Sequence, residues 1–257
     1  MAFEQVRLER DGAVAILTMA RPETLNAMSA RMLDEIRQGV IDAGESGARA
    51  LLLTGEGRGF SSGADLAAGE IPDDLGAALD AHFNPLIEAL FDAPMPIVTA
   101  INGPAAGAGC SLALAGDVVV AARSAYFLQA FVNIGLIPDA GATWLLPRLA
   151  GRARALEMMM LGERIPAETA LQWGMIARVV DDEALPGEAL ALARRLSEGP
   201  TLALGLVRRL VHEAQNSSLS EALAAERIGQ REAGRSEDFK RGAMAFLAKQ
   251  KPVFEGR

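Results

Sequence analysis

The chain has 257 residues but only one cysteine, Cys110, and two histidines, His82 and His212. A lone cysteine forms no disulfide within the chain, and so few Cys and His residues build none of the usual metal-ligand spacings, so no metal is expected. Basic runs are missing as well. No five consecutive residues are Lys or Arg and the net charge is −8, a balance that argues against nucleic acid or a membrane surface as partner. The opening Met-Ala-Phe-Glu-Gln-Val-Arg-Leu-Glu-Arg holds no apolar signal core. No segment reaches the roughly eighteen uninterrupted apolar residues of a membrane span. These absences point to a reducing, cytoplasmic setting and to small-molecule chemistry. What the chain does have is 50% hydrophobic residues, ample for the core of one large α/β domain with an appendage.

The rest is organised around Gly103 to Asp117, Gly-Pro-Ala-Ala-Gly-Ala-Gly-Cys-Ser-Leu-Ala-Leu-Ala-Gly-Asp. The β-branched residues after Pro96 read as a short buried strand that empties into this turn. From Ala105 to Gly109 no side chain exceeds a methyl, so a ligand has access to the backbone, and the run Cys110 to Ala115 predicts a helix. Amide N–H groups at its start, helped by the helix dipole, suit a carbonyl oxygen that gains negative charge during a reaction. A tight strand-to-helix turn packed on a neighbour has the same composition. On this stretch alone it is the simpler reading.

Phe3 to Glu9 alternates apolar and polar residues, Asp11-Gly12 is a turn signal and Val14 to Met19 returns, which predicts a hairpin. Ser29 is placed to cap a helix from Ala30 to about Ala43 with Met32, Leu33, Ile36 and Val40 on one face. Ala50 to Thr54 reads as a strand, and Gly55 to Leu66 as a second glycine-rich turn with a helical turn beginning at Ala64. Residues 67 to 74 read as mobile, and Leu75 to Phe91 as a helix. Val118 to Ala122 is another strand, and Tyr126 to Phe131 another short apolar stretch. A third turn spans Gly135 to Thr143. Helices are expected over Trp144 to Leu149, Ala153 to Leu161, Ala167 to Trp173 and Leu185 to Leu196, with a strand at Ile176 to Val180. The alternation of strand, turn and helix predicts parallel crossover units in an α/β fold, followed by a helical tail from Pro200.

Four segments in order, Phe60-Ser-Ser-Gly-Ala-Asp-Leu66, Asn102-Gly-Pro-Ala-Ala-Gly-Ala-Gly-Cys110, Gly135-Leu-Ile-Pro-Asp-Ala-Gly141 and Phe246-Leu-Ala-Lys-Gln-Lys-Pro-Val-Phe254, resemble those of the crotonase, or enoyl-CoA hydratase/isomerase, superfamily. The likeness spans nearly the whole chain. It implies a spiral of repeated ββα units over residues 1–199 and a C-terminal helical region over 200–257 used in trimerisation. It also implies an acyl-CoA thioester substrate, with CoA entering as part of the substrate and no separate cofactor, and a homotrimer or dimer of trimers. One branch of the superfamily binds RNA, and the acidic balance here argues against that role.

Matched residue by residue, Ala64 and Ala108 fall where the family places the two backbone N–H groups of its oxyanion hole. Thr24, Leu25 and Ala27, together with Ala64, Asp65, Leu66 and Ala67, fall beside its CoA contacts. Phe246 and Lys249 resemble tail residues that complete a CoA site, often that of a neighbouring subunit. The plain alternatives are a helix cap for Asp65 and a solvated charge for Lys249.

Proton chemistry divides the superfamily. Its hydratases use two glutamates to orient water and exchange its protons. Here the first position is Ser111, a poor base suited to a helix terminus or pocket wall, and the second is Phe131, which moves no proton. A carboxylate appears instead at Asp139. The run Gly135 to Gly141, with Thr143-Trp-Leu-Leu-Pro-Arg148 and Gly174-Met-Ile176, is most similar to the phenylacetate-pathway branch. That resemblance implies an acyl-CoA isomerase whose aspartate moves the proton, acting on a 1,2-epoxyphenylacetyl thioester or shifting a 3-enoyl double bond to the 2-position. Asp139 is therefore the expected catalytic residue, with the Ala64 and Ala108 amides holding the thioester oxygen. Phe131 and Leu136, where they line its pocket, would desolvate the carboxylate and raise its pKa. Capping the following turn is the alternative role for Asp139. An enoyl-CoA hydratase and a non-catalytic acyl-CoA-binding subunit are the competing functions.

Overall fold

The computed structural model describes residues 3–67 and 74–257. Most of the 67 to 74 segment, read above as mobile, lies outside the described residues. Strands β1 (Val6–Asp11) and β2 (Val14–Met19) form the expected hairpin, with Asp11 opposite Val14. Ser29 caps α1 (Ala30–Glu45), its hydroxyl accepting from the Met32 amide at 3.2 Å. Met32, Leu33, Ile36 and Val40 are buried, as their spacing requires. Next come β3 (Ala50–Gly55), α2 (Leu75–Ala78), a π-helical turn at Leu79–Phe83 and α3 (Asn84–Asp92).

The central segment runs through β4 (Ile97–Ile101), β5 (Ala105–Ala106) and α4 (Ala108–Leu114). The helix thus opens two residues earlier than its apolar run suggests. Then follow β6 (Val118–Ala122), β7 (Tyr126–Leu128), a 3-10 turn at Ala130–Ile134, α5 (Ala142–Ala150) and α6 (Arg152–Leu161). The chain continues through β8 (Ile165–Pro166), α7 (Ala167–Gln172), β9 (Arg178–Val180) and α8 (Leu185–Ser197). Its tail is α9 (Thr201–Ala214), α10 (Leu219–Ala233) and α11 (Glu237–Leu247).

The large sheet has the order β1-β2-β3-β4-β6-β9, antiparallel only at its first pair. A second, three-stranded layer, β5-β7-β8, is extended by single bridges from Ser61 to Ala105 and from Met28 to Ala64. Each pass of the chain adds a strand to the large sheet, a short strand or bridge to the second layer, and then a helix. This is a ββα spiral. All five residues of β4 are buried, as expected for a parallel strand covered on both faces. On one side α8 packs over β3 and β4 with Leu185, Ala189 and Ala193 buried.

The Met28 bridge also overturns one expectation. Ala64 does not begin a helical turn: Met28 N donates to Gly63 O and Asp65 N donates to Met28 O, which holds the segment extended.

The tail is fastened to the core by two arginines. Arg208 on α9 is 6% exposed and donates to both oxygens of Asp117 and to the carbonyls of Leu90, Phe91 and Ala93. Arg49 donates to Gly199 O, Thr201 Oγ1 and Phe254 O. Among the described residues no helix is long and apolar enough to cross a membrane.

Candidate active site

Two strands of the large sheet, β3 and β4, end in glycine-rich turns that the spiral lays against each other. Gly63 stands at φ +97°, and a Cβ there would lie 2.8 Å from the Ala106 carbonyl and 3.5 Å from the Ala108 nitrogen. Gly109 is equally constrained, because a Cβ would meet Ser61 at 2.7 Å. Only glycine permits this approach. The turns are further tied by Ala106 N to Ser61 O at 2.9 Å and Gly107 N to Leu128 O at 2.8 Å.

At this junction the N–H groups of Ala64 and Ala108 donate to no acceptor among the described residues. Ala108 is the first residue of α4, where a helix leaves its amides unpaired. Both alanines line one cavity of ≈ 640 Å³. Its wall is largely apolar, with Phe131, Leu136 and Ile134 on one side and Leu79 and Phe83 on another. The last two come from the π-helical turn. Sequence periodicity missed them, since it reads one uninterrupted helix there, whereas a π turn rotates the exposed face and is often found at functional sites.

Asp139 opens into the same cavity, and it is the only ionisable side chain among the described residues of its lining. Its Oδ1 is buried without a hydrogen-bond partner. Burial pushes the carboxyl from its ordinary 3.8 up to about 6, because removing water disfavours the charged form. The flanking Phe131 and Leu136 are thus placed as the desolvation argument requires. The turn-cap alternative fails: α5 is preceded by Gly141 and receives no side-chain cap. Asp139 contributes only its carbonyl to that turn, accepting from Ala142 N at 3.0 Å. Ser111 is 1% exposed, lies outside the cavity lining, and donates its hydroxyl to the same carbonyl at 3.0 Å. It forms neither a pocket wall nor a helix terminus. Cys110 beside it is fully buried, and burial pushes its thiol up to about 12, so it is inert near neutrality.

Of the residues matched to CoA contacts, those of the Thr24–Ala27 and Ala64–Ala67 segments lie side by side at this site, and Phe246 and Lys249 do not join them. The Met28 bridge brings the Thr24–Ala27 loop against Ala64. Leu25 and Asn26 adopt positive φ, a conformation fixed by the buried Asn26 side chain, which accepts from Arg21 N and donates to Glu56 O and Gly59 O. Thr24 bonds its hydroxyl to Arg21 O, and Ala27 O accepts from the Arg21 guanidinium. Asp65 pairs with the same guanidinium at 2.7 Å and accepts from Ala67 N, so its carboxylate orders the loop and caps no helix among the described residues. Leu66 is exposed and lines the cavity. Phe246 is 81% exposed and Lys249 is exposed at φ +55°; neither lines the cavity of its own chain.

The family model described as "Enoyl-CoA hydratase/isomerase" matches residues 9–257. The chain belongs to the enoyl-CoA hydratase/isomerase family. Its ββα spiral is the crotonase fold: a crystal structure from Geobacillus kaustophilus HTA426, described as "Enoyl-CoA Hydrates Subunit I", superposes with a TM-score of 0.93 at 40% identity and covers 99% of each chain. The 1,2-epoxyphenylacetyl-CoA isomerase of Escherichia coli K12 is 47% identical over 251 residues, 95% of each chain. A Rhodobacter capsulatus relative named "Probable enoyl-CoA hydratase" is 44% identical over 259 residues and the full length of both. Enzymes of this family act on CoA thioesters, and this chain is one of them.

Proposed function

We propose that the protein is an acyl-CoA isomerase acting through an enolate, on 1,2-epoxyphenylacetyl-CoA, on 3-enoyl-CoA esters, or on both. The Ala64 and Ala108 amides receive the thioester oxygen as it becomes negative, the role for which unpaired helix-start donors are suited. On a 3-enoyl ester Asp139 removes the C2 proton. The electron pair moves into the thioester to give a dienolate, and Asp139 returns the proton at C4, leaving the 2-enoyl product. One carboxylate serves both steps. A pKa of about 6 lets the group be ionised at neutral pH yet basic enough to act. No metal or redox cofactor is required, and CoA enters as part of the substrate.

The observation that carries the reading is the unpartnered Asp139 carboxylate facing the cavity that the two free amides share. The 47% identical isomerase supports it. Thr24, Leu25, Ala27, Asp65, Leu66 and Ala67 form the edge that would receive CoA. In a homotrimer, or a dimer of trimers, Phe246 and Lys249 would complete a neighbour's site, and the setting is cytoplasmic. The test follows double-bond migration of a 3-enoyl-CoA and hydration of crotonyl-CoA in the same preparation, for wild type and Asp139→Asn. Isomerisation should exceed hydration and fall by roughly a hundredfold or more in the variant, the size expected of a general base. Fast hydration in wild type, or normal isomerisation by the variant, refutes the assignment. Binding of both esters without turnover moves the protein to the non-catalytic reading.

A further inference from the structure

Ser111, at the position matched to a proton-handling residue of the family's hydratases, is buried and lies outside the cavity lining. It sits one turn into α4, the helix whose first amide belongs to Ala108. The hydroxyl reaches the Asp139 carbonyl at 3.0 Å, 28 positions along the chain. That carbonyl begins a segment in which Ala140 (φ +49°) and Gly141 (φ +81°) are both left-handed. For a residue with a Cβ, as at Ala140, such backbone persists only where surrounding contacts hold it. The Asp139 carbonyl at its start accepts two bonds, from Ser111 Oγ and from Ala142 N, and only the first comes from outside the segment and the helix that follows it.

We infer that Ser111 is a positioning residue: its hydroxyl pins the Asp139 backbone to α4, so that one helix fixes both the Ala108 amide and the carboxylate that must act on the same substrate. The inference rests on the isomerase reading of Asp139. A proton returned to a second carbon needs a base held at constant distance from the oxyanion donors, since small displacements of a reacting group are costly in rate. Linking both groups to one rigid element does this without any further residue in the pocket.

The test compares Ser111→Ala, Ser111→Thr, Asp139→Asn and the double variant Ser111→Ala/Asp139→Asn on a 3-enoyl-CoA, with kcat, KM and the pH profile of kcat. Loss of one hydrogen bond at this joint should lower kcat by roughly tenfold with KM little changed. The acid limb of the profile should move to lower pH, because a released carboxylate gains water and no other ionisable side chain lines the described cavity. Ser111→Thr, which keeps the hydroxyl, should restore both. On the Asp139→Asn background Ser111→Ala should cost nothing more, as expected of residues acting through one another. A wild-type kcat and acid limb in Ser111→Ala overturn the inference. So does an equal loss in both backgrounds, failure of Ser111→Thr to rescue, or a lowered unfolding midpoint with the limb unmoved. Normal isomerisation by Asp139→Asn alone would instead overturn the isomerase reading itself.

Discussion

Asp139→Asn should leave the protein more stable near neutral pH while removing the isomerase rate proposed for it. The carboxyl titrates near 3.8 when free and near 6 in the folded chain, because one oxygen is buried without a partner. A folded-state pKa raised above the unfolded one gives stability that is fully present below about pH 4 and lost as pH rises through about 6. Each pKa unit is worth about 1.4 kcal/mol, so the full cost of ionising the group approaches ~3 kcal/mol. The carboxylate opens into a water-accessible cavity, and screening reduces this to about 1–2 kcal/mol. Asparagine keeps the shape and carries no charge at any pH. Urea melts of both proteins from about pH 4 to about pH 8 should therefore coincide at the acid end and separate by that amount at the other. In thermal melts a gain of this size is roughly 2–8 °C for a chain of this length. A variant no more stable than wild type at the alkaline end refutes the desolvation argument. A gain independent of pH assigns the effect to packing instead of charge.

Gly63→Ala should cost roughly a hundredfold or more in kcat, because its Cβ would push the Ala106 carbonyl away and part the two amides. Single-turnover isomerisation, with circular dichroism to verify the fold, checks it. Arg208→Met should destabilise the protein by about 3–5 kcal/mol, because it leaves the Asp117 carboxylate with the Ile97 amide but no countercharge and takes the donor from three carbonyls, with Arg208→Lys recovering only part, since one ammonium replaces a five-donor fork. Urea denaturation reads both variants. Equal stability of Arg208→Met and wild type would show that these bonds merely offset their own desolvation.

The features legible in the sequence were those decided within a few residues. The Asp11-Gly12 turn, the Ser29 cap and the apolar face of α1 all follow from local backbone and periodicity arguments, and the structure keeps them. Features set by distant partners were not legible. Ala64 is kept out of a helix by Met28, and Asp65 is engaged by Arg21, 44 positions away. Arg208 finds Asp117 across 91 positions, and an arginine within the amphipathic α9 carries no sign of burial before the fold is known. The glycine turns were visible as composition, but what fixes Gly109 is Ser61 from another pass of the spiral. Asp139 is singled out by the family resemblance, its apolar neighbours suggesting only a raised pKa, whereas the bond that Ser111 makes to its carbonyl depends on how α4 meets the α5 approach.

The cavity's chemistry follows from how few polar side chains it contains. Adding water to an enoyl thioester requires a water held in line and groups that exchange its protons, and in the described lining Asp139 is the single ionisable side chain, beside Phe131, Leu136, Ile134 and Phe83, which move no proton. For the proposed double-bond shift, a largely apolar wall would strengthen the hold of the two amides on the thioester oxygen. Burial against the same wall raises the Asp139 pKa, so one apolar surface would serve both the base and the oxyanion donors of the proposed isomerisation. The cost of leaving one oxygen of that carboxylate unpartnered falls on folding stability, and the Arg208 and Arg49 clamps lie outside the cavity lining.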